Sequence, residues 1–178
     1  MSTRRHPGWL ARFGIDTRAS AAAEMAMIFP IVGFVTMNVV DLATYMYSKM
    51  QVDLAAQQAA GIVRSLCTNP APANCGTTYL NQMKSAAQQT TLGTAVTVVG
   101  SPTESYYCAN TGGTLVLVAT PPATPPATCA ATVSGSTSRP GSYIGVPTTF
   151  TYHATFPGFS VASYLSSTIQ STAWIRLQ

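Results

Sequence analysis

The chain has 178 residues, of which 47% are hydrophobic and only 8% carry a formal charge. That length allows one modest domain with an appendage, and the neutral, Ser/Thr/Ala-rich makeup suits an exported β-rich module better than a cytosolic enzyme. The net charge of +4 gathers at the N-terminus, where Arg4, Arg5, Arg12 and Arg18 face only Asp16, so no basic surface for nucleic acid remains downstream.

The basic leader, residues 1–19, gives way to small residues and then to an apolar run. From Met25 to Val40 no side chain carries a formal charge, and up to Tyr47 the only one is Asp41. A spanning helix takes about 20 residues to cross a hydrocarbon core of about 30 Å. Glu24 and Asp41 bracket the run at a separation of about 25 Å along a helix axis, slightly short of that thickness. Pro30 and Gly33 would weaken a soluble helix, yet both are common in membrane spans. The predicted transmembrane half is therefore about 25–45, with the arginines holding the leader on the cytoplasmic side. A cleaved signal peptide is the competing reading. It needs a small-residue cleavage site after the apolar run, where VVDLATYMYSK offers none, whereas Ala19–Ala23 precede the run.

The helix is predicted to continue past the membrane. Tyr45, Val52, Ala56, Ala59, Val63 and Leu66 form one stripe at helical period, widened by Ala55 and Ile62. A helix over 20–66 would run on the order of 70 Å, half in lipid and half as the spine of a head domain, until Asn69-Pro70 stops it. The head, residues 67–178, opens with a helix predicted over Thr78–Thr90 that carries Tyr79, Leu80, Met83 and Ala87 on one side. Strands are predicted at 94–100 and 114–119. Residues 148–156 alternate, with Phe150, Tyr152, Ala154 and Phe156 on one face and Thr149, Thr151, His153 and Thr155 on the other. The C-terminal STIQSTAWIRLQ reads as a last strand. TPPATPPATC, residues 120–129, is predicted to be an extended spacer, and 134–142 a loop.

All four cysteines, Cys67, Cys75, Cys108 and Cys129, lie beyond the apolar run. Neither a C-x-x-C pair nor a histidine cluster supports zinc, so disulfides in an oxidising compartment are expected. Three pairings are possible, and the local one, Cys67–Cys75 with Cys108–Cys129, is favoured over buried free thiols. Catalytic constellations are missing from the sequence: His153 stands alone among threonines, no serine sits in G-x-S-x-G, and no carboxylate pair or phosphate loop is present. The expectation is a non-enzyme without cofactor or small-molecule substrate.

The remaining constellation is RASAAAEMAMIFP, residues 18–30: small residues, an acid at Glu24, then an apolar helix containing Pro30. It resembles type IV prepilins, and among them the TadE-like proteins of the tight-adherence (Flp) pilus. FPGF, residues 156–159, with a final strand resembles them more loosely. The resemblance implies that a prepilin peptidase cuts between Ala19 and Ser20, which makes Glu24 the fifth residue of the mature chain and gives Glu24 to Pro30 the family spacing. Ala19 stands where glycine is usual, and Met25 where an aromatic is usual. The resemblance also implies an α+β, type IV pilin-like fold: a long N-terminal helix packed on a small antiparallel sheet. The implied function is that of a minor pilin or pseudopilin in the bacterial inner membrane. Its N-terminus would be cytoplasmic and its head periplasmic, and its partners would be other pilins and the assembly platform, with passage into the extracellular pilus after assembly. The alternative is a single-pass anchored periplasmic binding domain that never assembles.

Overall fold

The structure is a computed structural model that describes residues 17–67, 75–100, 102, 104–121 and 123–177, with the backbone alone for 17–20. The leader up to residue 16 and the predicted helix stop at Asn69-Pro70 lie outside the described residues. One helix, α1 (Thr17–Leu66), continues for 50 residues, about 75 Å, through Pro30. Its C-terminal half buries Val52, Ala55, Ala56, Ala59, Ala60 and Val63. Alanines at four of these positions keep the surface low, so the helix backbone approaches its neighbours closely. This is the predicted stripe, except that Leu66 at the helix end is exposed.

Two short helices, α2 (Cys75–Thr78) and α3 (Leu80–Ala87), replace the single one predicted over Thr78–Thr90. Tyr79 separates them, and α3 closes when the Gln88 and Gln89 amides turn back to the Lys84 and Ala86 carbonyls. The β-branched pair Thr90-Thr91 then comes next, where helix propensity is low. Met83 and Ala87 on α3 are buried in the same core as Ala59 and Val63 of α1.

The sheet has five antiparallel strands: β1 (Thr97–Val98), β2 (Glu104–Ala109), β3 (Leu115–Ala119), β4 (Gly141–Thr151) and β5 (Thr168–Arg176). β4 is its axis. β5 pairs with one edge of β4 from Tyr143 to Thr151, β2 and β1 share the other edge, and β3 flanks β2. The period of two sends Ser142, Ile144, Val146 and Thr148 inward toward α1, all of them buried. On the outer face Trp174 lies over Gly145, where a Cβ would come within 3.0 Å of the indole. Tyr107 meets the edge of that indole at 5.3 Å and the ring of Tyr143 at 5.8 Å. The architecture is the expected α+β one, a long helix against a small antiparallel sheet.

Several element boundaries differ from expectation. β4 begins at Gly141, inside the stretch read as a loop, and ends at Thr151 rather than at 156. Of residues 94–100 only Thr97–Val98 are strand, because a 3-10 turn with Gly93 at φ +54° occupies 93–95. The Pro-rich segment carries neither helix nor strand among its described residues up to Thr128. β2 was not anticipated. Its hairpin to β3 is set by Asn110, whose Oδ1 accepts from the amides of Gly112 (3.0 Å) and Thr114 (2.8 Å), and by Gly113 at φ +79°.

Disulfides join Cys67 to Cys75 and Cys108 to Cys129. The first links the end of α1 to the start of α2, and the second ties β2 to the segment after β3. Closing loops of this size contributes about 3 kcal/mol each in the chain-entropy picture.

Candidate functional site

α1 has two halves with opposite surroundings. From Met25 to Val40 its large apolar side chains are exposed, including Met27, Phe29, Ile31, Phe34 and Val39. The described residues contain one helix with an 18-residue stretch long and apolar enough to cross a membrane, and 6% of that stretch is buried. A core helix of a soluble protein would be mostly covered. Polar groups inside the stretch are satisfied locally: the Thr36 hydroxyl donates to the Val32 carbonyl at 2.7 Å, and the Asn38 amide to the Phe34 carbonyl at 2.9 Å. Glu24 and Pro30 both lie on this bare half, and Glu24 is exposed. Ala19 and Ser20 are helical in backbone, and their side chains lie outside the described residues.

The head begins to cover α1 at Asn38. Its amide also donates to the Phe159 carbonyl at 3.3 Å, and its Oδ1 accepts from the Val161 amide at 2.8 Å. One turn on, Asp41 is fully buried. Its Oδ1 accepts from the Tyr152 hydroxyl and from the Thr155 amide, each at 2.8 Å. The Tyr152 oxygen is also 3.0 Å from the Asp41 carbonyl and 3.0 Å from the Thr44 hydroxyl. A phenol has one proton, and the carboxylate is the strongest acceptor within its reach. Thr44 donates to the Asp41 carbonyl at 2.8 Å, which leaves that proton for the carboxylate. Among the described residues Asp41 Oδ2 has no hydrogen-bond partner in this geometry. The buried Ser160 stands beside it, and because the Ser160 oxygen accepts from the Ala162 amide, its own proton is free to turn toward the carboxylate. Burial, foremost, and then the neighbouring carboxylate push the Tyr152 phenol above its ordinary value. Tyr45 packs edge-on against Tyr152 at 5.1 Å and helps to close the cluster.

The segment held this way connects β4 to β5. Phe156-Pro157-Gly158-Phe159 is a turn, with the Phe159 amide donating to the Phe156 carbonyl at 3.2 Å and Gly158 at φ +83°. Proline then glycine at its centre is the type II pattern. Ser160 caps the 3-10 helix Val161–Tyr164. Behind the segment lies an open cleft of about 410 Å³ with Tyr152, His153, Ala162 and Leu165 on its walls. His153 is exposed, and among the described residues no group of three His, Cys, Asp or Glu side chains could hold a metal.

Sequence reasoning found the bare half of α1 but treated Asp41 only as a charge marking the far edge of the span. The junction partners Asn38, Thr44, Tyr152, Thr155 and Ser160 were missed. A signal was present: Asn38, Asp41, Ser48 and Val52 continue the buried stripe of α1 toward its N-terminus at spacings of 3, 7 and 4.

Residues 19–61 match the model of the family described as TadE-like protein. The matched segment starts at the expected cleavage position, covers the bare half of α1 and runs into the buried half, so the expected similarity to TadE-like proteins extends over this part of the chain. No curated protein and no solved structure matches the chain.

Proposed function

We propose that the chain is the precursor of a minor pilin or pseudopilin of a tight-adherence (Flp-type) pilus, anchored through the first half of α1 with its disulfide-bearing head outside. The observation that carries this reading is one continuous helix that is bare and apolar up to Met37 and becomes the spine of a head from Asp41 onward. A free-standing anchored domain needs a span but not a rigid continuation of it into the core. A subunit that packs through its helix needs both.

In this reading a prepilin peptidase removes residues 1–19. The new amine at Ser20 lies about one helical turn from Glu24, where a helix N-terminus already favours an acid. Amine and carboxylate neutralise each other at the bilayer edge, within one chain or between neighbours, and the second arrangement sets the axial register of packed helices. Ala21–Ala23 keep that end narrow enough for close approach. Pro30 leaves the carbonyl of Ala26 without its helical amide, a group that a neighbouring helix would satisfy. The partners are the inner membrane, the peptidase, other pilins and the assembly platform. Catalysis has no part in the reading.

Shearing filaments from cells that express a tagged chain tests this reading against the anchored binding domain. The chain is expected in the sheared filament fraction or cross-linked to the major subunit. A chain found only as a lone membrane-bound monomer would favour the binding domain instead.

A further inference from the structure

We propose that the β4–β5 segment, Phe156–Leu165, lies in the interfacial layer of the outer leaflet and forms a second membrane contact beside the span. The proposal rests on the reading of α1 as a membrane anchor.

Placement is the first argument. The segment and the Thr155 amide just before it are bonded to Asn38 and Asp41, through the Phe159 carbonyl and the Val161 and Thr155 amides, so it sits where the exposed apolar half of α1 meets the head. Composition is the second. Phe159 is 70% exposed, Val161 59% and Tyr164 86%. No formally charged side chain occurs between His153 and Arg176. Apolar and aromatic side chains around a tyrosine make the amphipathic surface that settles at headgroup level.

Length is the third argument, and it selects lipid rather than a protein as the occupant. Glu24 and Asp41 are about 25 Å apart along α1, whereas the hydrocarbon core is about 30 Å thick. With Glu24 at the inner edge, Asp41 falls at or slightly inside the outer boundary, and so does whatever surrounds it. A bare carboxylate would be costly at that depth. Here it is enclosed by Tyr152, Thr155 and Ser160, and the exposed side chains of the segment around it are Pro157, Phe159, Val161, Tyr164 and Leu165, together with the polar Ser163. The segment therefore shields the acid and offsets the short span by bringing apolar side chains down with it. Its exposed apolar surface adjoins that of the helix.

The test is depth measurement with nitroxide labels on the full chain in phosphatidylethanolamine/phosphatidylglycerol nanodiscs, with both disulfides kept oxidised. Tyr164→Cys reports the segment and Val35→Cys the middle of the span. Thr111→Cys, in the β2–β3 turn, reports water. All three positions are exposed, so a label displaces no packing. The expected result is a label at 164 within about 5–10 Å of the headgroup–acyl boundary, open to oxygen and protected from a water-soluble nickel complex. A label at 164 as open to nickel as the one at 111, with 35 still deep, would overturn the proposal and leave the anchor reading standing. Shielding of 164 from both oxygen and nickel would mark a protein-covered site and also overturn it. A water-accessible 35 would overturn the anchor reading itself, and the proposal with it.

Discussion

A Glu24→Ala chain is expected to enter the membrane at wild-type levels and to disappear from the sheared filament fraction. Insertion gains from the change, because an acid inside a span costs up to about 2.5–3.5 kcal/mol at the centre and less toward the edge. In the proposed assembly, what is lost is the partner of the amine that cleavage would create at Ser20. Removing one member of a desolvated ion pair costs about 3–5 kcal/mol, because the other charge stays behind unpaired. At about 1.4 kcal/mol per factor of ten, that weakens each subunit contact by about two to four orders of magnitude. Glu24→Gln keeps the acceptor but not the charge, so it should recover part of the loss. Glu24→Ala filaments that carry the chain at wild-type levels would remove the assembly role from this carboxylate.

The second large effect is expected at the junction. Tyr152→Phe keeps the ring against Tyr45 and removes the hydroxyl that donates to Asp41 at 2.8 Å. Hydrogen bonds to charged groups contribute about 1.5–3 kcal/mol. Amide exchange at Thr155 and Val161, read by hydrogen–deuterium exchange in detergent, should therefore speed up by about tenfold to a hundredfold. Asp41→Leu strips the Thr155 amide of its acceptor and leaves Tyr152 only the backbone carbonyl and Thr44, so it should act more strongly, while Asp41→Asn, which keeps an oxygen in place, should act less. Wild-type exchange at both amides in Tyr152→Phe would mean that the cluster does not hold the segment.

The same cluster gives a pH dependence. The phenol of Tyr152 is raised in the folded chain, so the fold favours its neutral form. That contribution is fully present below the ordinary tyrosine value of about 10 and is lost as pH rises through the higher folded value. Ionised, Tyr152 could no longer donate, and two anions would share one enclosure. Tyrosinate absorbance should show a late-titrating step that Tyr152→Phe lacks.

How much the sequence made legible depended on physical range. The bare half of α1 is a local property, charge-free residues in a row, and it can be read without any partner. The spine could be read because its alanines and valines recur at one period against a single surface. The C-terminal end of β4 was legible for the same reason, through Phe150 alternating with Thr149 and Thr151, although the pattern runs on to Phe156 and the strand stops at Thr151. β2 was missed because its signal is a turn rather than a pattern: Asn110 and Gly113 announce a hairpin, and ESYYCA does not alternate cleanly. The Asp41 cluster was missed because Tyr152, Thr155 and Ser160 are more than a hundred residues from Asp41 in sequence. Nothing local to Asp41 says that Tyr152 will return to it. Pro157-Gly158 has the residues of a turn, but what the turn is bonded to depends on the register that β4 and β5 impose.

The most direct measurement of the central claim is the N-terminus of the membrane-extracted protein, by intact mass and N-terminal sequencing. A chain that begins at Ser20 and keeps all of the apolar run is the result this account requires. Met1 at the start would leave an uncut anchor with no amine for Glu24, and a start near Asp41 or beyond would make the apolar run a discarded signal. Either of these would contradict it.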